Sequence, residues 1–244
     1  MPILSRGRYL ARLAETPGDI AAAQRLRALA FHGDAAGADV DAHDGVCDHV
    51  LIEEAATGTL VCCFRVLPLP GGAEIGRSYS AQYYELSALK AFDGRIVELG
   101  RFCVHPGHHD PDILRVAWAA MTRYVDAQGV ELLCGCASFA GTDARAYHDA
   151  FAVLKARHLA PKCWLPRVKA PDVFRFAQRL RRKPDAKAAM SRMPPLLRFY
   201  LALGGWVSDH AVVDRQMNTL HVFTGVEIAA IPEARKRLFR AMAG

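Results

Sequence analysis

One continuous passage, VELGRFCVHPGHHDPDILRVAWAAMTRYVDAQGVELLCGCAS at residues 97–138, constrains the fold more than any other. Val97, Leu99, Phe102 and Val104 make its start read as a strand, and Pro106-Gly107 ends the run. Asp112 then reads as the cap of a helix in which Ile113, Val116, Ala117, Ala120, Met121 and Tyr124 recur at helical spacing, up to Gly129. The closing VELLCGCAS reads as a second strand, buried on both faces. A strand, a crossover helix and a strand imply a parallel pair, because parallel neighbours need such a connection.

The rest of the chain adds elements around that unit. Asp19, after Pro17-Gly18, is expected to cap a helix running to about Phe31. HVLIEE and TLVCCFRV flank AATG, the pattern of a β-hairpin. Residues 78–94 look irregular or part-helical, residues 143–157 helical, and NTLHVFTGVEI like a final strand. PPLLRFYLALGGWV is apolar but too short to span a bilayer, so it reads as a core helix or an interfacial segment. The expected class is α/β, a mixed sheet flanked by helices. Residues 1–183 form the expected main domain, and 184–244 a C-terminal extension packed on it.

Charge and cysteine usage narrow the setting. The net charge is +6, yet residues 151–183 hold ten Lys and Arg (Lys155, Arg157, Lys162, Arg167, Lys169, Arg175, Arg179, Arg181, Arg182 and Lys183) against the single acid Asp172. The basic surface is therefore local, and it favours an acidic protein or anionic lipid headgroups. Few aromatic residues accompany it and no nucleic-acid motif does, so nucleic acid is not an expected partner. Seven cysteines, an odd number in apolar strand-like surroundings, imply free thiols in a reducing compartment. Cys134-Gly-Cys136 is too short for a C-x-x-C site, and neither a secretory signal nor a membrane span is expected. The expected location is cytoplasmic, with room for peripheral contact at the inner membrane.

Three chemistries compete in residues 97–110. His105, His108, His109 and Asp110 lack helical spacing and follow a turn, so they read as solvated loop residues and no metal is expected. His105-x4-Asp110 matches a loose motif of glycerolipid acyltransferases, which leaves that activity as an alternative. Glu98 faces away from Val97 and Leu99, and burial of such a carboxylate would move it toward a general base. Arg101 has the opposite pleat parity unless a bulge intervenes, for which Gly100 is the expected place.

LRALAF (26–31), DAHDG (41–45), LVCCFRV (60–66) and ELGRFCV (98–104) occur in an order that resembles the autoinducer synthases making acyl-homoserine lactones, which have the fold of the GCN5-related N-acetyltransferases (GNAT). The residues matching that pattern are Arg27, Phe31, Asp41, Asp44, Arg65, Glu98 and Arg101. CDHVLIEE, ELGRFCVHPGHHD, GCASFAGTD and PPLLRFYLALGGWVSDHAVVDRQMNT resemble a further branch, the bacterial L-ornithine N-alpha-acyltransferases of ornithine lipid biosynthesis. This second likeness covers nearly the whole chain, including a C-terminal third that the autoinducer synthases lack, so acyl-homoserine lactone synthesis is the alternative.

The resemblance implies an N-acyltransferase moving a 3-hydroxyacyl group from acyl carrier protein to the α-amine of L-ornithine, giving lyso-ornithine lipid. Glu98 would take the amine's proton, with Arg101 beside it as the second catalytic residue. The backbone of Phe102, Cys103 and Val104 would supply oxyanion contacts. Arg27, Arg65 or Arg101 could hold ornithine's carboxylate, and Asp41 and Asp44 its side-chain ammonium, with Phe31 beside them. The same charges could instead pair with one another and fix the N-terminal loop. HPGHHDPD has one glycine and two acids where coenzyme A users cradle a pyrophosphate, which favours phosphopantetheine on a carrier protein, with no separate cofactor. Asp214, Asn218 and Thr219 match the family, but no chemistry assigns them a role.

Overall fold

The computed structural model describes residues 2–181 and 183–243. Strands β1 (Pro2–Arg6) and β2 (Tyr9–Leu13) open the chain as an antiparallel pair. Helix α1 (Pro17–His32) starts one turn earlier than a cap at Asp19 would place it. Thr16 is the cap: its hydroxyl accepts from the Asp19 N–H, and the Asp19 carboxylate accepts from the Thr16 N–H. Asp19 is thus the returning half of a capping box, and Pro17 takes the first helical position, where a missing N–H costs nothing.

Strands β3 (Asp48–Glu54) and β4 (Leu60–Leu69) form the expected antiparallel hairpin. Residues 72–91 make three short 3-10 turns around β5 (Tyr84–Glu85). The unit that constrained the fold follows as β6 (Ile96–Val104), α2 (Pro111–Gln128) and β7 (Leu132–Ala140). Its helix is capped by Asp110, not Asp112, because the Asp110 carboxylate accepts from the Asp112 N–H at 2.9 Å and Pro111 occupies the first position. Next come α3 (His148–Arg157), β8 (Arg167–Val168), β9 (Val173–Phe174), α4 (Phe176–Arg179), α5 (Ala186–Arg192) and α6 (Pro195–Ala202). The chain ends with β10 (Trp206–Val207), β11 (Ala211–Asp214), β12 (Thr219–Glu227) and α7 (Glu233–Ala243).

These elements form two compact units. The first comprises Met1–Pro68, Leu99–Val130 and Glu233–Gly244. Its strands run in the order β1, β2, β3, β4 and then the Leu99-to-Val104 part of β6. Side chains alternate between faces along each strand. Leu51, Cys63 and Cys103 therefore pack against Ala23 and Leu26 of α1, while Phe64 and Phe102 stack in series with Trp118 of α2.

The second unit comprises Leu69–Glu98 and Glu131–Pro232. Ile96, Val97 and Glu98 pair in parallel with Leu132, Leu133 and Cys134, as the strand, helix and strand order required. β12 runs antiparallel to β7 along its whole length, and β11 and β9 follow. One face of this sheet, with Ala137, Phe139, Leu220 and Val222, packs on Ala150, Phe151 and Leu154 of α3. The alternation puts Glu98, Cys134, Cys136, Ser138, Phe223 and His221 on the other face. β7 is buried on both faces only through Gly135; Ser138 and Ala140 are exposed, which corrects the fully buried reading. In α6, Leu197 and Tyr200 are buried, as a core helix requires. Among the described residues no helix is long and apolar enough to cross a membrane.

Candidate active site

Glu98 stands at the last registered pair between β6 and β7, opposite Cys134. It is 5% exposed, and both carboxylate oxygens are held by backbone donors: Tyr79 N–H at 2.6 Å on Oε2 and Ser80 N–H at 2.8 Å on Oε1. Burial, reinforced by the nearby Glu98 charge, pushes the Cys134 thiol well up, which makes it inert as a nucleophile. The two amide donors lie in an irregular segment with no periodicity, and nothing in the sequence marked them.

In the first unit, Arg27, Asp41, Asp44, Arg65 and Arg101 come together as expected from their order, and Asp39 joins them. Arg27 donates to both oxygens of Asp44, at 2.7 and 2.9 Å. Arg65 donates to Asp41 at 2.6 and 2.7 Å and to Asp44 at 2.6 Å. Arg101 donates to Asp39 at 2.9 Å and to Asp41 at 3.0 Å. Arg27 Nε lies 2.9 Å from Asp39 Oδ2, but its N–H is not aligned to donate, so that contact is an ion pair and not a hydrogen bond. Gln24 donates to Asp44, and His49 Nε2 meets the Asp44 carbonyl at 3.0 Å.

Three arginines and three aspartates balance, which is how charges tolerate burial. Burial pushes the Asp44 carboxyl up, but the hydrogen bonds from Arg27 and Gln24 outweigh it and hold it well below the usual range. Asp41 is also held low: burial opposes, and Arg65 prevails. Phe31 packs beside Leu26 and Cys63 in the core under α1. Asp39 was readable as the first acid of an Asp39, Asp41 and Asp44 series, but the family pattern used only the later two.

The backbone irregularity of β6 lies at Arg101, with φ of 53°, and not at Gly100. A left-handed conformation is costly for any residue but glycine. It breaks the pleat alternation and lets the Arg101 side chain reach Asp39 and Asp41. Beyond it, the Phe102 ring is stacked between Phe64 and Trp118, and the Cys103 thiol lies 3.6 Å from that of Cys63.

His105 and Asp110 are each engaged elsewhere. His105 Nδ1 accepts from the Gly107 N–H at 3.0 Å, whereas Asp110 caps α2 and accepts from Arg8 at 2.6 Å and Tyr9 at 2.9 Å. That arrangement gives no support to a histidine base oriented by this aspartate. In the basic segment, Arg157, Lys162, Arg175, Arg179, Arg181 and Lys183 are exposed and pair with no acid among the described residues. Lys155 donates to the Leu180 carbonyl and Lys169 to that of Ala81, and Arg182 lies outside the described residues.

A family profile described as an acetyltransferase (GNAT) domain matches residues 26–119. A curated L-ornithine N(alpha)-acyltransferase of Rhodobacter capsulatus is 35% identical over 95% of this chain and 94% of its own. One of the same name from Brucella abortus is 29% identical over 94% of this chain and 88% of its own. Among solved structures, FeeM, an N-acyl amino acid synthase from uncultured soil microbes, has a TM-score of 0.54 at 12% identity, covering 91% of this chain and 93% of that one. The expected acetyltransferase-like α/β fold is thereby borne out.

Proposed function

We infer the reaction from kinship: this chain belongs to the L-ornithine N(alpha)-acyltransferase family. It transfers an acyl group to the α-amine of L-ornithine, and the observation that carries this reading is 35% identity, over 95% of the chain, with an enzyme of that name. The donor we propose is a 3-hydroxyacyl thioester on the phosphopantetheine of acyl carrier protein. Glu98 takes a proton from the α-ammonium, and the freed nitrogen lone pair attacks the thioester carbon. The C–S bond then breaks as the tetrahedral oxyanion collapses, the nitrogen gives up its second proton and the departing thiolate takes up one, so the products are an amide, a free thiol and one proton left on Glu98. Main-chain N–H groups at Phe102, Cys103 and Val104 are the proposed oxyanion donors.

Arg27, Asp41, Asp44, Arg65 and Arg101 spend their charges on one another. We assign them to fixing the loop after α1 and the β6 backbone, with Arg101 a positioning residue. Asp110 supports the carrier-protein donor. The Asp112 N–H, Tyr9 and Arg8 hold its carboxyl below the usual range, so a negative charge persists at the α2 N-terminus, where a pyrophosphate would otherwise bind. The exposed cations of 157–183 suit an acidic carrier protein, and the proposed setting is cytoplasmic, with peripheral contact at the inner membrane leaflet.

The test is incubation with L-ornithine and 3-hydroxyacyl carrier protein, followed by mass spectrometry for the N-acylornithine. Amide formation no faster than in buffer would refute the reading. Glu98→Gln should lower turnover by about 10²–10⁴-fold, the usual range for a general base.

A further inference from the structure

The face of the second unit that carries Glu98 also holds a buried imidazole nitrogen with no partner among the described residues. Tyr84 Oη donates its hydrogen to the His221 carbonyl at 2.7 Å, while its oxygen meets His221 Nδ1 at 3.2 Å. With that hydrogen spent, the tyrosine oxygen can only accept from the ring, so Nδ1 carries the imidazole hydrogen and Nε2 is a bare lone pair. His221 is 2% exposed, and Nε2 has no partner among the described residues. Burial pushes the imidazole down to about 4, so it is neutral at physiological pH and stays an acceptor.

Asp214 adds a second acceptor. It is 7% exposed, its Oδ1 accepts from the Met217 N–H at 3.0 Å, and it pairs with no Lys or Arg among the described residues. His221 lies opposite Val212 across the hairpin, and Asp214 is two residues on. The two side chains therefore share a face as diagonal neighbours, about 7–8 Å apart at Cα. Tyr83 stands beside them, its ring 4.9 Å from that of His221, and Tyr79 follows at 5.4 Å from Tyr83. A buried carboxylate, a buried imidazole lone pair and aromatic rings with no cation among them call for a ligand rich in donors and positively charged.

We propose that Asp214 and His221, walled by Tyr83 and Tyr79, bind the primary ammonium at the far end of the acceptor amino acid and so select a diamino acid. The proposal rests on the acyltransferase reading above. Geometry links the two ends. Glu98 pairs with Cys134, and His221 pairs with Ser138, four residues along β7. Strand rise and spacing then put Glu98 and His221 about 16 Å apart at Cα. Both side chains rise from the same face of that sheet, at its two ends. Tyr79 joins them, its amide on Glu98 and its hydroxyl 3.3 Å from that of Tyr83.

The test compares L-ornithine with L-norvaline, the same carbon chain without the terminal nitrogen. Asp214→Asn keeps an oxygen for the Met217 N–H and removes the charge, while His221→Phe keeps a ring and removes the lone pair. Each should raise KM for ornithine about ten-fold or more, the loss expected for one charge-assisted hydrogen bond. Each should leave kcat and the norvaline KM within about two-fold. Equal losses for both acceptors, or an unchanged ornithine KM, would overturn the assignment and leave Asp214 as a turn residue and His221 as a water ligand. Equal use of both acceptors by the unaltered protein would refute the ammonium site while the acyltransferase reading stood. Acylation of neither would bring down that reading and this inference with it.

Discussion

Asp44→Asn should be among the most damaging single changes in the first unit. The Asp44 carboxylate accepts from Arg27 twice, from Arg65 and from Gln24. Its removal leaves Arg27, 1% exposed, with Asp39 as its one charged partner among the described residues. Breaking a buried pair from one side costs about 3–5 kcal/mol, because the remaining charge stays desolvated. For a chain of this size that corresponds to a fall of roughly 6–20 °C in Tm. Denaturant melts at neutral pH measure it directly. Acid adds an independent check on sign. Asp41 and Asp44 are held below their unfolded values, so their contribution is complete above about pH 4 and is lost as pH falls toward the folded values. The gap between wild type and Asp44→Asn should therefore narrow as pH drops below about 4. A neutral-pH difference under about 1 kcal/mol would mean that water already solvates the cluster, and the argument from burial would fail.

Further outcomes can be checked alongside. His105→Ala should leave turnover within about two-fold in the amide-forming assay, since a loop imidazole bound to Gly107 has no part in the proposed proton transfer. The double change Arg175→Glu and Arg179→Glu should raise KM for the carrier-protein donor and flatten its salt dependence, while a free pantetheine thioester, which needs no docking, is used as before. Arg101→Gly should be more stable than Arg101→Ala by about 1 kcal/mol, the reverse of the usual order, because only glycine is free of the left-handed penalty; denaturation midpoints of the two variants decide it.

The sequence was most legible where a periodic signal coincided with burial. β6, α2 and β7 each carry apolar residues at the spacing of their element, and the hairpin of β3 and β4 was marked by AATG. The caps were displaced because in both PGD and DPD an acid stands one or two residues after the proline: the residue before the proline caps, and the later acid turns back to the cap or stays in the first turn. β1 and β2 went unread, since PILSRGRYLARL is short and interspersed with arginine. Within the candidate site, charged residues were legible through their family spacing, whereas Tyr79 and Ser80 act through backbone N–H groups that any residue type supplies. No residue identity announces a main-chain donor.

The placement of strain explains why so many charges gather on one loop. Gly100, which could adopt a left-handed conformation freely, does not; Arg101 does, at φ of 53°. Space is not the reason for the glycine, because a Cβ there would meet Arg65 only at ordinary contact distance, 3.7 Å. What the left-handed turn achieves at Arg101 is direction: it swings the guanidinium onto Asp39 and Asp41, two acids on the loop that Arg27 and Arg65 also hold. A conformation costing about 1–2 kcal/mol persists only when its surroundings over-determine it. Two ion pairs at Arg101, each anchored by a second arginine, do that. The loop after α1 and the backbone entering Phe102, Cys103 and Val104 are thereby fixed by one set of charges, so loosening the loop at Asp39 or Asp41 should disturb the geometry of those three amides even though neither aspartate need touch a substrate.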